Sequence, residues 1–258
     1  MRETYLKKIV KNVAFRPGVI RRVRLGPMRG LVYQVSKTTG MSPWYSGSER
    51  AHQRVFRQLL QAGDTVIDVG ANWGLHTLYF SRLVGPGGLV VAVEPFPPVC
   101  AELRWHVQAN HCANVKIYEL ALSDCDGSAL FATGESSYTG SLTPVKSIVG
   151  KGDQLRVSTR TLDSIVQEVQ LKRLRLVKVD VEGAESKVLA GAHQTVDCLR
   201  PNFVIDLHTP EQDAVVARQL IAWGYQLRRI TGEVIRKTDA SWPDPEGVWG
   251  TIVAIPSF

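Results

Sequence analysis

The chain has no apolar run approaching the ~18 residues that a membrane-crossing helix requires,. Near its start Lys7, Lys8 and Lys11 interrupt the apolar residues, so the unbroken core of a signal segment is missing too,. Cysteine is scarce. The four cysteines, at positions 100, 112, 125 and 198, form no Cys-x-x-Cys pair and no metal-ligand spacing. They read as reduced, partly buried cytosolic thiols rather than a structural zinc site. No internal repeat and no linker divides the chain; the single candidate boundary falls near residue 60.

What is there is a chain of 258 residues, 44% hydrophobic, long enough for one large α/β domain with an appendage,. Charge is unevenly placed: residues 1–30 hold nine Lys or Arg against the single acid Glu3, and the rest is close to neutral. Leu6, Ile9, Val10 and Val13 recur at helical spacing, which predicts a basic amphipathic helix over 3–15,. Such a helix either packs on the domain with a solvated basic face or contacts an anionic membrane or a phosphorylated carrier. Nucleic acid is the weaker partner, because the basic residues lack an interleaved aromatic platform. The expected location is cytoplasmic, with attachment at the membrane periphery left open. Residues 19–25 and 31–36 read as a hairpin, 38–48 as a lid-like loop carrying Trp44 and Tyr45, and 49–61 as a helix,. Residues 1–60 are thus an N-terminal extension, and 61–258 the main domain.

The main domain opens with the apolar run Val66, Ile67 and Val69, which ends in Gly70, Asn72 and Gly74 and leads into a helical segment at 75–84. Strand, small-residue turn and helix form the build of a nucleotide-cofactor site. In the dinucleotide pattern a second glycine would stand where Asn72 is, and here Asp68 precedes the turn inside the strand,. A carboxylate at that place repels a pyrophosphate and holds an ammonium, so the ligand is read as zwitterionic rather than polyphosphate. A second strand at 89–93 runs into Glu94, Pro95 and Phe96. Right-handed crossover lays it beside the first, and Glu94 stands where an acid takes ribose hydroxyls. The third strand, 115–120, leads to Ser123 and Asp124, placed for an adenine edge that Phe96 could cover. Over 127–152 the alternation of strand and helix stops, which predicts a hairpin insertion or lid over the site. It returns at 175–181, where Lys178, Asp180 and Glu182 share one face, a costly arrangement inside a sheet unless paired or functional,. Strands at 202–207, 225–230 and 250–255 complete the pattern, the first running into His208.

Asp68-Val-Gly-Ala-Asn-x-Gly74, Val93-Glu-Pro95, Ala121-Leu-Ser-Asp124, Thr161-Leu-Asp163 and Lys178-Val-Asp-Val-Glu-Gly-Ala-Glu185 resemble the FkbM family of S-adenosylmethionine-dependent methyltransferases. Val188-Leu-Ala-Gly-Ala192 and Asp206-Leu-His208 extend the resemblance, which spans roughly 47–210 and is most specific over 178–192. It implies the class I methyltransferase, Rossmann-like fold: a seven-stranded, mostly parallel sheet with helices on both faces, here with a helix and hairpin extension. It also implies methyl transfer to a hydroxyl of a small molecule, a sugar or glycan or a secondary metabolite. On this chain it places Asp68, Gly70, Ala71, Asn72 and Gly74 around the methionine part of S-adenosylmethionine. Glu94, with Pro95 and Phe96, would serve the ribose, and Ser123 and Asp124 the adenine. His76 and Thr77, at the helix start, are placed to donate to the cofactor carboxylate; His76 equally suits a neutral core position.

Strand carboxyl ends bring Asp180, Glu182 and His208 to one rim. His208, with an ordinary pKa of ~6.5, is the expected general base, and Asp180 its orienter or that of the acceptor. Lys178 and Glu182 would bind substrate or balance one another; Glu182 and Glu185 also suit helix-dipole compensation. Alternatively Asp180, Glu182 and His208 hold Mg²⁺ or another divalent ion that acidifies the hydroxyl. Two rival readings stand beside these. One is a nucleic-acid (RNA) methyltransferase, favoured by the pI near 9.3 but opposed by Asp180-Val-Glu-Gly where a base-methylation motif would stand. The other is a non-catalytic, cofactor-binding protein recruited to membranes through residues 1–30.

Overall fold

The computed structural model of the protein describes residues 17–36, 49–133, 140–141, 154–235 and 250–257. The expected basic helix, the aromatic loop at 38–48 and most of 134–153 lie outside them. An antiparallel hairpin of β1 (Ile20–Arg22) and β2 (Val32–Gln34) precedes helix α1 (Arg50–Leu59). The main sheet starts with β3 (Thr65–Val69), α2 (Leu75–Val84), β4 (Leu89–Val93), α3 (Pro97–Ala109) and β5 (Val115–Tyr118). Four strands follow: β6 (Ala121–Leu122), β7 (Gly127–Thr133), β8 (Gly140–Ser141) and β9 (Gln154–Arg160). Helix α4 (Leu162–Val169) leads to β10 (Leu176–Val179), α5 (Glu185–Ala190), α6 (His193–Leu199), β11 (Asn202–Ile205) and α7 (Pro210–Ala222). The chain closes with β12 (Tyr225–Arg229), β13 (Val234–Ile235) and β14 (Ile252–Pro256).

The main sheet has the order β13-β12-β14-β11-β10-β3-β4-β5. Strands β11, β10, β3, β4 and β5 are parallel, and β14 enters antiparallel between β11 and β12. Strand order reverses between β3 and β10, so a crevice opens at their carboxyl ends, where α/β sheets bind ligands. The strands are apolar because both faces are covered. Ile67, Val91 and Val177 pack with Leu162, Val188, Val196 and Val216 from the helices on one side. Val66, Val90 and Leu176 pack on the other side with Phe56 of α1, Phe80 of α2 and Tyr33 of the hairpin. Burial of a side chain such as Phe56, fully enclosed, contributes ~1.5–3 kcal/mol,. The hairpin is latched to α3 by hydrogen bonds from Val32 N–H to Asn110 Oδ1 (2.7 Å) and from Gln34 N–H to His106 Nε2 (3.0 Å).

Two differences from the sequence expectation stand out. The main sheet has eight strands rather than seven, because the two-residue β13 pairs with β12 at its edge. A strand that short leaves no periodicity to read. The expected hairpin insertion is instead part of a second, four-stranded sheet of order β6-β9-β7-β8. There β7 pairs along its length with β9, which itself lies parallel to β6. Phe131, Val157 and Ala121 form a small core of their own under this sheet. Among the described residues no helix is long and apolar enough to cross a membrane.

Candidate active site

At the carboxyl ends of β3, β4 and β10 lies a cleft of about 680 Å³, lined by Gly70, Asn72, Glu94, Phe96, Phe131 and Asp180 among others. Its floor demands glycine: Gly70 has φ +74°, and a Cβ there would stand 1.8 Å from the Asp180 carbonyl oxygen. Asn72 also adopts a left-handed conformation (φ +51°), with its side-chain Oδ1 accepting from Trp73 N–H at 2.7 Å. That turn aims Asn72 N–H at Glu94 Oε2, and Phe96 N–H reaches Glu94 Oε1, both at 2.9 Å. Glu94 is thereby fixed, 6% exposed, with its carboxylate at the cleft wall. Burial pushes its pKa up to about 7 despite the two backbone donors. The rings of Phe96 and Phe131 stack with centroids 6.1 Å apart and form an apolar wall with Leu122. The charged residues lining the cleft, Glu94, Asp180 and Glu182, are all acids. That donor set rejects phosphate and suits a ligand bearing positive charge.

Several residues expected at the ligand lie elsewhere. Asp68 is sealed beneath the turn, where Thr77 Oγ1 donates to its Oδ2 at 2.6 Å. Its Oδ1 lies 3.4 Å from Lys178 Nζ, an ion pair without hydrogen-bond geometry. The ammonium that Asp68 holds is therefore one of the protein's own. Lys178, equally buried, also donates to the Gly70 carbonyl oxygen at 3.2 Å and to Asp180 Oδ2 at 3.3 Å. Burial works against its charge, but the carboxylates of Asp180, Asp68 and Asp206 prevail and raise its pKa. Gly74 packs against Leu103, and Ala71 is buried. Ser123 donates to Asp124 at 2.9 Å, but neither lines the cleft, whose end is made by Leu120, Ala121 and Leu122. Pro95 and Phe96 do line it.

A second cavity of about 590 Å³ adjoins the first, and Asp180 lines both. His76, expected at the cofactor, faces this one, with Nε2 3.2 Å from Glu49 Oε2. Across from it, His52 Nε2 lies 2.9 Å from Asp206 Oδ1, which also accepts from Thr251 Oγ1. Burial opposes charge on both partners of the His52–Asp206 pair, but their mutual attraction wins: the His52 pKa is raised and that of Asp206 lowered. Glu49, His52 and Thr251 were not legible as site residues. They come from α1 and its start and from the approach to β14, and no local spacing links them to the glycine turn. Asp206 stood in a quoted motif without a role.

The rim that Asp180, Glu182 and His208 were expected to share does form. His208 Nε2 lies 3.3 Å from Asp180 Oδ1 and 3.5 Å from Glu182 Oε2. Its Nδ1 lies 2.9 Å from Oε1 of the fully buried Glu185, which also accepts from Gly183 N–H. Glu182 takes φ +54°, a conformation costing ~1–3 kcal/mol for a non-glycine residue,. Burial alone would lower the His208 pKa; the hydrogen bond to Glu185 and the charges of Asp180 and Glu182 outweigh it and lift it to about 9. The expectation of a histidine poised near its ordinary pKa is thus corrected: with no cation beside it, the ring holds its proton well above the usual range because three carboxylates face it, and a bound metal ion would have to displace that proton. Burial also raises the Glu182 pKa. The donor atoms of Asp180, Glu182 and His208 lie within 4.8 Å of one another, close enough to share a metal ion.

The sequence model of the Methyltransferase FkbM domain family matches residues 68–227. Methyltransferase 1 of Beauveria bassiana is 27% identical over 173 residues, 60% of this chain and 69% of its own length. The 2-O-methyltransferase NoeI of Sinorhizobium fredii is 27% identical over 164 residues, 58% of this chain and 66% of its own. The hexuronic acid methyltransferase AglP of Haloferax volcanii is 28% identical over 215 residues, 78% of this chain and 82% of its own.

Proposed function

This chain belongs to the FkbM methyltransferase family, and from that premise we propose that it moves a methyl group from S-adenosylmethionine to a hydroxyl oxygen of a small polar acceptor, a sugar or glycan unit before other classes. One observation carries the reading: an acid-lined cleft with an aromatic wall and a polar cavity meet at a single residue, Asp180. Glu94 would accept from the ribose hydroxyls, and the Phe96–Phe131 wall would cover the adenine. The backbone at Gly70 and Asn72 would receive the methionine end, with Asp68 and Lys178 holding that turn from below. Bound there, the cofactor supplies a methyl group already activated on a sulfonium, so the protein's task is alignment and removal of one proton.

The acceptor cavity is walled by Glu49, His52, His76, Asp206 and Thr251, hydrogen-bonding groups that suit a polyhydroxylated molecule better than an apolar one. Two relatives carry names in keeping with this, a 2-O-methyltransferase and a hexuronic acid methyltransferase. At the junction, the Asp180–Glu182–His208 cluster receives the acceptor hydroxyl. Within it His208 holds the two carboxylates in place, and Asp180 faces both ligands. Calorimetric titration with S-adenosylmethionine, followed by transfer of its labelled methyl group to a panel of hexuronic acids, hexoses, polyketide alcohols and RNA, tests the reading. Saturable binding and label on a sugar hydroxyl are expected. Label confined to RNA bases, or no cofactor binding, would overturn it.

A further inference from the structure

We propose that Asp180, Glu182 and His208 form a binding site for one divalent cation, Mn²⁺ or Mg²⁺, opening toward the acceptor cavity. Its role there, to seat the acceptor hydroxyl, rests on the methyl-transfer reading; the binding of the cation does not. The first observation is the disposition of the donor atoms. His208 Nε2 sits 3.3 Å from one carboxylate oxygen and 3.5 Å from another, and hydrogen-bonds to neither. Ligand atoms held ~2.0–2.2 Å from a shared cation are separated from one another by about 3.0–3.5 Å; both histidine–carboxylate separations have that value, and all three donor atoms lie within 4.8 Å of one another.

The second observation lies outside the three ligands. Glu185, fully buried at the start of α5, takes the Nδ1 side of the ring at 2.9 Å. That contact fixes the ring so that Nε2 is the atom presented to Asp180 and Glu182. A buried carboxylate behind a histidine is the usual support of a metal-binding imidazole, setting both its tautomer and its orientation. The polar contacts of this buried carboxylate, His208 Nδ1 and the Gly183 N–H, both fall on Oε1, and its Oε2 has no hydrogen-bond partner. Lys178 occupies the remaining side of Asp180, through Oδ2, and leaves Oδ1 to the cluster.

Two carboxylate oxygens and one imidazole nitrogen make a mostly hard donor set, which suits Mn²⁺ and Mg²⁺ over thiophilic ions. Three protein ligands leave open positions on either ion, and Asp180 and His208 both line the acceptor cavity,. A hydroxyl entering that cavity would complete the coordination and be acidified by it.

The test uses the whole chain, stripped with a chelator and titrated with MnCl₂ while free Mn²⁺ is followed by electron paramagnetic resonance. One saturable site per chain is expected, displaced by excess Mg²⁺. Asp180→Asn and Glu182→Gln should each weaken it at least tenfold, and Glu185→Gln severalfold, with circular dichroism verifying that each variant is folded. Glu182 is partly exposed, so its variant is the safeguard if Asp180→Asn fails to fold. Absence of saturable binding, or wild-type affinity in folded Glu182→Gln, would overturn the proposal. Cofactor titration of the same stripped protein separates the two readings. Retained cofactor binding without a Mn²⁺ site removes the cation alone, and a Mn²⁺ site without cofactor binding removes the methyl-donor assignment alone.

Discussion

Lys178 Nζ lies 3.4 Å from Asp68 Oδ1, and the two side chains are 2% and 0% exposed. They sit opposite one another in the register of the adjacent parallel strands β10 and β3. The same ammonium bonds the Gly70 carbonyl and Asp180, so one buried charge ties the cofactor turn to the residue shared by both cavities. Replacing it with an apolar residue leaves Asp68 without a cation. Lys178→Met should therefore lower stability to chemical denaturation by ~3–5 kcal/mol, the cost of breaking a buried pair. A loss under ~1 kcal/mol would mean that Asp68 is satisfied otherwise.

Gly70 and Gly63 both have positive φ, +74° and +88°, but only Gly70 is crowded. Gly63→Ala should cost about 1 kcal/mol, the conformational share alone. Gly70→Ala must also push back the Asp180 carbonyl, and should abolish cofactor binding or folding. Calorimetry and thermal melts on the pair check this; similar behaviour of the two would show that the floor yields.

Glu94 links stability to affinity. Its pKa in the fold, about 7, stands above the ~4.3 of an unfolded glutamate, so the folded state binds the extra proton between those values,. Stability of the ligand-free protein from this group is present at low pH and lost as pH rises through 7. Measured from pH 4.5 to 8, the wild type should lose stability relative to Glu94→Gln, by roughly 1–3 kcal/mol. The variant should bind cofactor at least ~10-fold more weakly, since it loses an ionised acceptor. Parallel pH profiles would refute the burial argument.

His208 carries a similar dependence at higher pH. Its pKa in the fold, about 9, exceeds the ~6.5 of the unfolded chain,. The stability it contributes is complete below pH ~6.5 and disappears as pH rises through 9. In chelator-treated protein, the wild type should lose stability across that window while His208→Gln stays flat.

His208→Ala should also lower turnover by ~10²-fold, the scale of a misplaced catalytic group, because it frees Asp180 and Glu182, while cofactor affinity stays near wild type because His208 lines only the acceptor cavity. Wild-type turnover in the radiolabel assay would remove His208 from the reaction.

Much of this is legible in the sequence, and what is legible is local. The boundaries of α2, β4 and α4 fall where apolar period and glycine punctuation place them. Glu94 and the Asp180–Glu182–His208 rim also follow from local motifs, because the end of a parallel strand faces the crevice wherever that strand sits in the sheet. The hairpin pieces within 127–152 were legible, but their joining with β6 and β9 into a second sheet was not, nor was the edge strand β13, since both depend on pairing between segments too short or too irregular to show a period,.

The sequence alone determined the parallel sheet, the small-residue turn and the acids at its rim, since each follows from residue type at fixed spacing. Only the tertiary structure decided what those charges face. Asp68 looked like a ligand-binding acid until the register of β3 and β10 set Lys178 against it. His208 looked like a base near neutrality until Glu185 closed on its Nδ1. His52 became part of the acceptor cavity through Asp206, 154 residues away. A side chain's charge state and partner are set by neighbours in space, and a fold brings those neighbours from distances along the chain over which no spacing rule extends.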